Sequence, residues 1–208
     1  MDTKQQYRKC VLDIEAEALL PTEGRIICIG LMEIDNGVIH IFFDQSERIM
    51  VQRFIRYFNY GNFGEIIGYN ILYDIRYIFG KCLKYNISVG GFYSAHYNDL
   101  MMILKSVKNI YCFNKPGTLN QWSSYLFGEG KKLVNSSVPL LYKQGRINEI
   151  IQYNKKDLQL TYKLWERINK IIGSKRQEQN KNYDKYDYIR NIENNSYMSI
   201  INTKHNKT

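Results

Sequence analysis

The chain has 208 residues, 44% hydrophobic and 14% aromatic, which is enough for one domain with a substantial core and tight for two. Its 29 Lys and Arg against 20 Asp and Glu give a formal net charge of +9, a balance that favours a polyanionic partner, nucleic acid or an anionic membrane surface. No apolar run reaches the length of a membrane span, the polar opening MDTKQQYRK lacks a signal-peptide stretch, and Cys10, Cys28, Cys82 and Cys112 form no metal-binding or disulfide pattern, so the expectation is a cytoplasmic protein with buried free thiols.

Residues 8–17 (RKCVLDIEAE) read as a strand entering a core, 25–34 (RIICIGLMEI) as a second and 38–44 (VIHIFFD) as a third. Asp35-Asn36-Gly37 between the last two is a hairpin signal. Over 46–59 the apolar residues Ile49, Met50, Phe54, Ile55 and Phe58 keep helical spacing, with Ser46 as N-cap and Gly61 as stop. A short buried strand at 65–70 then leads into a helix at 73–86, and a further strand is expected at 97–103. Thr118 opens a helix that Gly128 closes, and a long helix runs from about 147 to 172.

A three-stranded antiparallel meander followed by alternating helices and strands predicts an α/β fold with a mixed sheet flanked by helices. From Gly173 the composition turns to Asn, Lys and Tyr with few aliphatics, so the expected organisation is one domain over 1–172 and a basic tail over 173–208, disordered or weakly helical.

Asp13 and Glu15 stand two apart in an otherwise apolar strand, which puts both carboxylates on one face and Leu12, Ile14 and Ala16 on the other. Two adjacent carboxylates repel and lose hydration on burial, and a divalent cation compensates both costs. Taken alone, the pair equally fits the polar face of a half-exposed strand. Asp74 lies in the first turn of a helix at the carboxyl end of a strand, where open α/β sheets place their sites and where an acid also simply favours the helix dipole. Tyr153 and Asp157 lie one turn apart on the long helix, on the face that carries Ile150, Leu160 and Leu164. Alone, they also fit a tyrosine packed at the core edge against an acid.

Order and combination carry more than any one element. A strand D-x-E, then N-x-x-x-D after a later strand (Asn70 to Asp74), then Y-x-x-x-D on a late helix (Tyr153 to Asp157) resembles the DEDD superfamily of DnaQ-like exonucleases over roughly residues 8–170. The histidine branch of that superfamily has its histidine five residues before the last aspartate, where this chain has Gln152. The tyrosine branch, DEDDy, has its tyrosine four before, at Tyr153. The run from TLNQW to VPLLYKQGRINEIIQYNKKDLQLTYKLW is similar to the exonuclease domain of family B DNA polymerases and their stand-alone relatives, although the chain is too short to include a polymerase domain. Ala16 stands where the family has Thr, Tyr73 where it has Phe, and the Asn70 to Asp74 spacing is nearer to the DnaQ and ribonuclease D pattern.

The resemblance implies a ribonuclease-H-like sheet and a metal-dependent 3′–5′ exonuclease acting on single-stranded 3′ ends by a two-metal-ion mechanism, on DNA more readily than RNA. It implies that Asp13, Glu15, Asp74 and Asp157 hold two divalent ions, with Asp13 bridging them, and that Tyr153 orients the attacking water. Hard oxygen ligands suit Mg²⁺ or Mn²⁺. Tyr69 and Asn70 are candidate contacts to the terminal nucleotide, although Tyr69 also fits a core position. Lys131 and Lys132 are candidate phosphate contacts, although loop lysines are mostly solvated. An exoribonuclease of the same fold and a non-catalytic nucleic-acid-binding domain are the alternative readings.

Overall fold

The structure is a computed structural model that describes residues 7–106, 117–130 and 138–172. Its centre is a five-stranded sheet in the order β3-β2-β1-β4-β5. The strands are β1 (Arg8–Ala16), β2 (Ile26–Glu33), β3 (Ile39–Phe42), β4 (Phe63–Gly68) and β5 (His96–Asp99). The first three pair antiparallel, and β4 and β5 add parallel to β1 and to each other. This α/β mixed sheet is the expected fold class and is consistent with a ribonuclease-H-like fold. The helices are α1 (Glu47–Tyr60), α2 (Ile71–Tyr85), α3 (Gly91–Ser94), α4 (Leu100–Ser106), α5 (Leu119–Phe127), α6 (Val138–Lys143) and α7 (Ile147–Ile172). The described residues form one compact unit through Arg167, and the last five residues of α7 belong to a second. Among the described residues no helix is long and apolar enough to cross a membrane.

Local chemistry explains most element ends. Gly37 takes φ 71° in the β2–β3 turn, a conformation that L side chains rarely adopt, and Asn36 Oδ1 accepts the Val38 N–H at 2.9 Å. Ser46 caps α1 by accepting the Ile49 N–H, and Thr118 with Gln121 forms a full capping box on α5. The strand expected over 97–103 ends early: β5 stops at Asp99, and Leu100–Ser106 is α4. Asp99 Oδ1 accepts the Met101 N–H at 3.0 Å, which satisfies an orphan donor at that helix start. The apolar run Leu100–Leu104 has no period that separates a strand from a helix turn.

The two faces of the sheet bury different layers. Cys10, Leu12 and Ile14 of β1 pack with Phe54, Phe58, Ile75 and Ile78 of α1 and α2. On the opposite face, Cys28 of β2 packs with Val138, Leu141, Ile150 and Tyr153 of α6 and α7. Cys10, Cys28 and Cys82 are buried free thiols, and Cys112 lies outside the described residues.

One polar network ties the far end of the sheet. The buried Glu33 carboxylate accepts from Arg8, from Tyr57, from Asn36 Nδ2 at 2.6 Å, and meets His40 Nε2 at 3.1 Å. Burial alone pushes this carboxyl up, but the hydrogen bonds from Tyr57, Asn36 and Arg8 outweigh it and hold it at about 2. A depressed folded value means the contribution to stability is fully present above the ordinary value of 4.5 and is lost as pH falls through about 2. Acid titration of thermal unfolding is therefore expected to be less steep between these values for Glu33→Ala than for the native chain. Equal slopes would show that Glu33 gains nothing from its partners.

Candidate metal centre

The β1–β2 ladder runs from Cys10 to Ala16, with Asp13 opposite Gly30 and Glu15 opposite Cys28. The β1–β4 ladder is shorter and ends at Val11 opposite Ile67. Beyond that point the β4 side of β1 has backbone groups with no strand partner, and they need other ones. Asp74, in the first turn of α2, fills the gap: its Oδ1 accepts the Ile14 N–H at 2.9 Å. The fork between β1 and β4 thus seats an acid beside the backbone that joins Asp13 to Glu15.

Period two turns Asp13 and Glu15 to the face covered by α6 and α7, away from the Leu12 and Ile14 face. Asp157 arrives there from α7. Ligand oxygens of Asp13, Glu15 and Asp157 all lie within 4.8 Å of one another, with Glu15 and Asp157 buried and Asp13 half-buried. Three carboxylates this close in a poorly hydrated place are costly unless a cation or protons neutralise them. The donor set is all carboxylate oxygen, which fits Mg²⁺ or Mn²⁺ better than zinc. Asp74 stands outside this three-acid group but within its field. Burial raises its carboxyl pKa, and the charges of Asp99 and Asp157 raise it further, against the opposing hydrogen bond from Ile14.

Tyr153 is buried in the α6–α7 layer, one helical turn before Asp157. Asn70 takes the N-cap position of α2 in a left-handed conformation, with φ 61°, and makes no side-chain cap bond. Its backbone N–H donates to Asp99 Oδ1 at 2.9 Å, and its side chain is exposed. Tyr69 is half-buried and donates its hydroxyl to the Gly117 carbonyl at 2.6 Å. Burial and the charge of Asp99 push that hydroxyl up to about 12. Lys131 and Lys132 lie outside the described residues.

Two buried residues beside these acids escaped sequence reasoning. Asp99 ends β5 and holds the Asn70 corner, as above. Asn154, fully buried, follows Tyr153 on α7. Its Nδ2 donates to Asp13 Oδ2 at 2.7 Å and to the Asp13 carbonyl at 3.2 Å. Flipping the amide would set oxygen against both acceptors, so the donor orientation is fixed by chemistry. Its Oδ1 is left buried with no hydrogen-bond partner among the described residues, a burden of about 1–3 kcal/mol. The only sequence signal for Asn154 is its place three residues before Asp157, which turns both to one side of the helix.

In comparisons with known proteins, no family model matches the chain and no curated protein matches it. The class defined by fold and site is therefore an α/β chain with a ribonuclease-H-compatible sheet and an acidic group suited to a divalent cation.

Proposed function

We propose that the chain is a metal-dependent 3′–5′ exonuclease that hydrolyses phosphodiester bonds at single-stranded 3′ ends, with DNA the favoured substrate. The observation that carries this reading is the convergence of Asp13 and Glu15 of β1 with Asp157 of α7, their ligand oxygens within 4.8 Å of one another. Tyr153 a turn from Asp157, and Asp74 against the Ile14 N–H, complete the set that the DEDDy resemblance requires.

Divalent ions held there supply charge neutralisation at the scissile phosphate and ease the deprotonation of water. Asp13, Glu15 and Asp157 would hold the first ion, and Asp74, fixed at the strand fork, would serve the second, with Asp13 shared between the two. Water attacks the phosphorus in line, the bond to the 3′ oxygen of the preceding nucleotide breaks, and that oxygen takes a proton. The product is a nucleoside 5′-monophosphate. Tyr153 orients the water through its hydroxyl. An ordinary phenol, with a pKa of about 10, is too weakly acidic to serve as the general base at neutral pH. The net charge of +9 favours binding to the phosphate backbone.

Digestion of 5′-labelled single-stranded DNA and RNA with Mg²⁺, Mn²⁺ or chelator tests the reading. The expected result is a metal-dependent ladder shortening from the 3′ end. Binding without cleavage would support the non-catalytic alternative, and faster loss of RNA the exoribonuclease one. Tyr153→Phe is expected to slow single-turnover cleavage at saturating Mn²⁺ by roughly tens to a thousandfold, the range for one positioning hydrogen bond, while Mn²⁺ affinity holds. Native rates for this variant would make the tyrosine structural and remove the basis of the subtype.

A further inference from the structure

We propose that Asn154, seated over Gly30, is a positioning residue for the metal centre: its amide sets the direction of the Asp13 carboxylate and so the cation affinity of the whole group. The inference rests on the reading of Asp13, Glu15 and Asp157 as metal ligands.

Asp13 is the least buried member of the three-acid group and projects from a strand, so its side-chain torsions need an external restraint. The Asn154 amide supplies one by donating to the backbone carbonyl and to one carboxylate oxygen of the same residue. Two bonds from one NH₂ group to two atoms of one residue fix the carboxylate relative to its own backbone. With Oδ2 held by Asn154, the Asp13 carboxylate has a set orientation toward Glu15 and Asp157. The same donor offsets part of the repulsion among the three acids when no cation is bound.

The strand opposite makes room for this contact. Gly30 pairs with Asp13 in the β1–β2 ladder. A Cβ at position 30 would collide with Asn154 Oδ1 and would stand 2.8 Å from Leu158 Cδ1. Gly30 has no positive φ that would otherwise account for a glycine, so its missing side chain serves the approach of α7. The buried, unpartnered Oδ1 points the same way. A leucine would fill this place without a polar cost, whereas only a donor holds Asp13.

The test is Mn²⁺ titration of the full chain without substrate, read by electron paramagnetic resonance, beside thermal unfolding. Asp13→Ala reports on the centre itself and is expected to lose the Mn²⁺ site. Asn154→Ala is expected to weaken Mn²⁺ binding about 10–100-fold, the effect usual for partners that orient metal ligands. Asn154→Leu, which fills the same volume, carries the same expectation if the alanine variant does not fold. Gly30→Ala should lose both affinity and stability. Combining it with Asn154→Ala should relieve the collision and restore the melting temperature but not the affinity. A folded Asn154 variant that binds Mn²⁺ within twofold of the native chain, while Asp13→Ala does not bind, overturns the positioning role and leaves the metal centre standing. Native binding by Asp13→Ala, or no binding by the native chain, overturns the centre and the inference with it.

Discussion

Asp13→Ala is expected to remove hydrolysis of single-stranded 3′ ends while leaving the fold intact. Asp13 is one of three carboxylates that meet within 4.8 Å, and it is the one to which Asn154 of α7 is bonded. A cation contributes several kcal/mol to the stabilisation of a phosphoryl transition state, so if Asp13 bridges two ions as proposed, its loss should lower the rate by on the order of a thousandfold or more. The fold has no comparable need of this side chain. Its strand is paired to β2 from Cys10 to Ala16, and the opposite face is filled by Leu12 and Ile14. Removing one of three mutually repelling acids should hold or raise the melting temperature in chelator. End-labelled digestion and thermal unfolding measure both halves. Retention of more than a few per cent of native activity in a folded variant would show that Asp13 does not bridge the ions.

The parts of the fold that were legible in the sequence are those where one local signal dominates. Asp35-Asn36-Gly37 fixes the β2–β3 turn because Gly37 is needed at positive φ. Ser46, Thr118 and Gly128 mark helix ends because each meets orphan backbone groups of its own helix. The error at 97–103 arose where local signals conflict. Leu100–Leu104 is apolar throughout, and what turns it into a helix is Asp99, whose carboxylate holds both the Met101 N–H and the Asn70 N–H. The second of those bonds joins two elements distant in the chain, and no window of sequence contains it. Helix α6 was not anticipated as an element, although Pro139 near its start suits a first turn.

The acids were legible for the same reason as the turns. Period two aligns Asp13 with Glu15, and a four-residue spacing aligns Tyr153 with Asp157. Their companions were not. An asparagine in a lysine-flanked helical stretch reads as solvated, and Asn154 meets Asp13 beside Gly30, which lies on β2, far away in the chain. Asp74 was placed by motif, but its immediate partner is the Ile14 N–H, exposed by the parting of β1 from β4. That parting is a property of the sheet, visible only once the register is known.

The largest expected loss of stability follows from Lys81→Met. Lys81 of α2 is 1% exposed, and its Nζ donates to the carbonyls of Pro21 and Gly24 and meets Glu47 Oε1 at 3.3 Å. Glu47, also buried, accepts the Ile26 N–H and the Tyr85 hydroxyl, each at 2.6 Å. One ammonium and one carboxylate thus tie the β1–β2 connection and the start of β2 to α1 and α2. A long apolar side chain keeps the volume of Lys81 but leaves Glu47 and two carbonyls short of a buried donor. Breaking one partner of a buried pair typically costs about 3–5 kcal/mol, and Glu47 then keeps only the exposed Lys84 ammonium at 3.9 Å as an opposite charge. For a domain of this size that corresponds to a fall in melting temperature of roughly 6–20 °C. The tied connection follows β1, which ends one residue after Glu15, so loosening it should also weaken Mn²⁺ binding at temperatures well below unfolding. Glu47→Gln removes the charge from the other side. The cost of Lys81→Met should therefore be smaller in the Glu47→Gln background, with a coupling of about 1–3 kcal/mol in the double-mutant cycle. Chemical denaturation of the four proteins measures it. Additive effects within about 0.5 kcal/mol would show that Lys81 is held by the two carbonyls alone and that its ion pair with Glu47 contributes nothing to the anchoring of the loop.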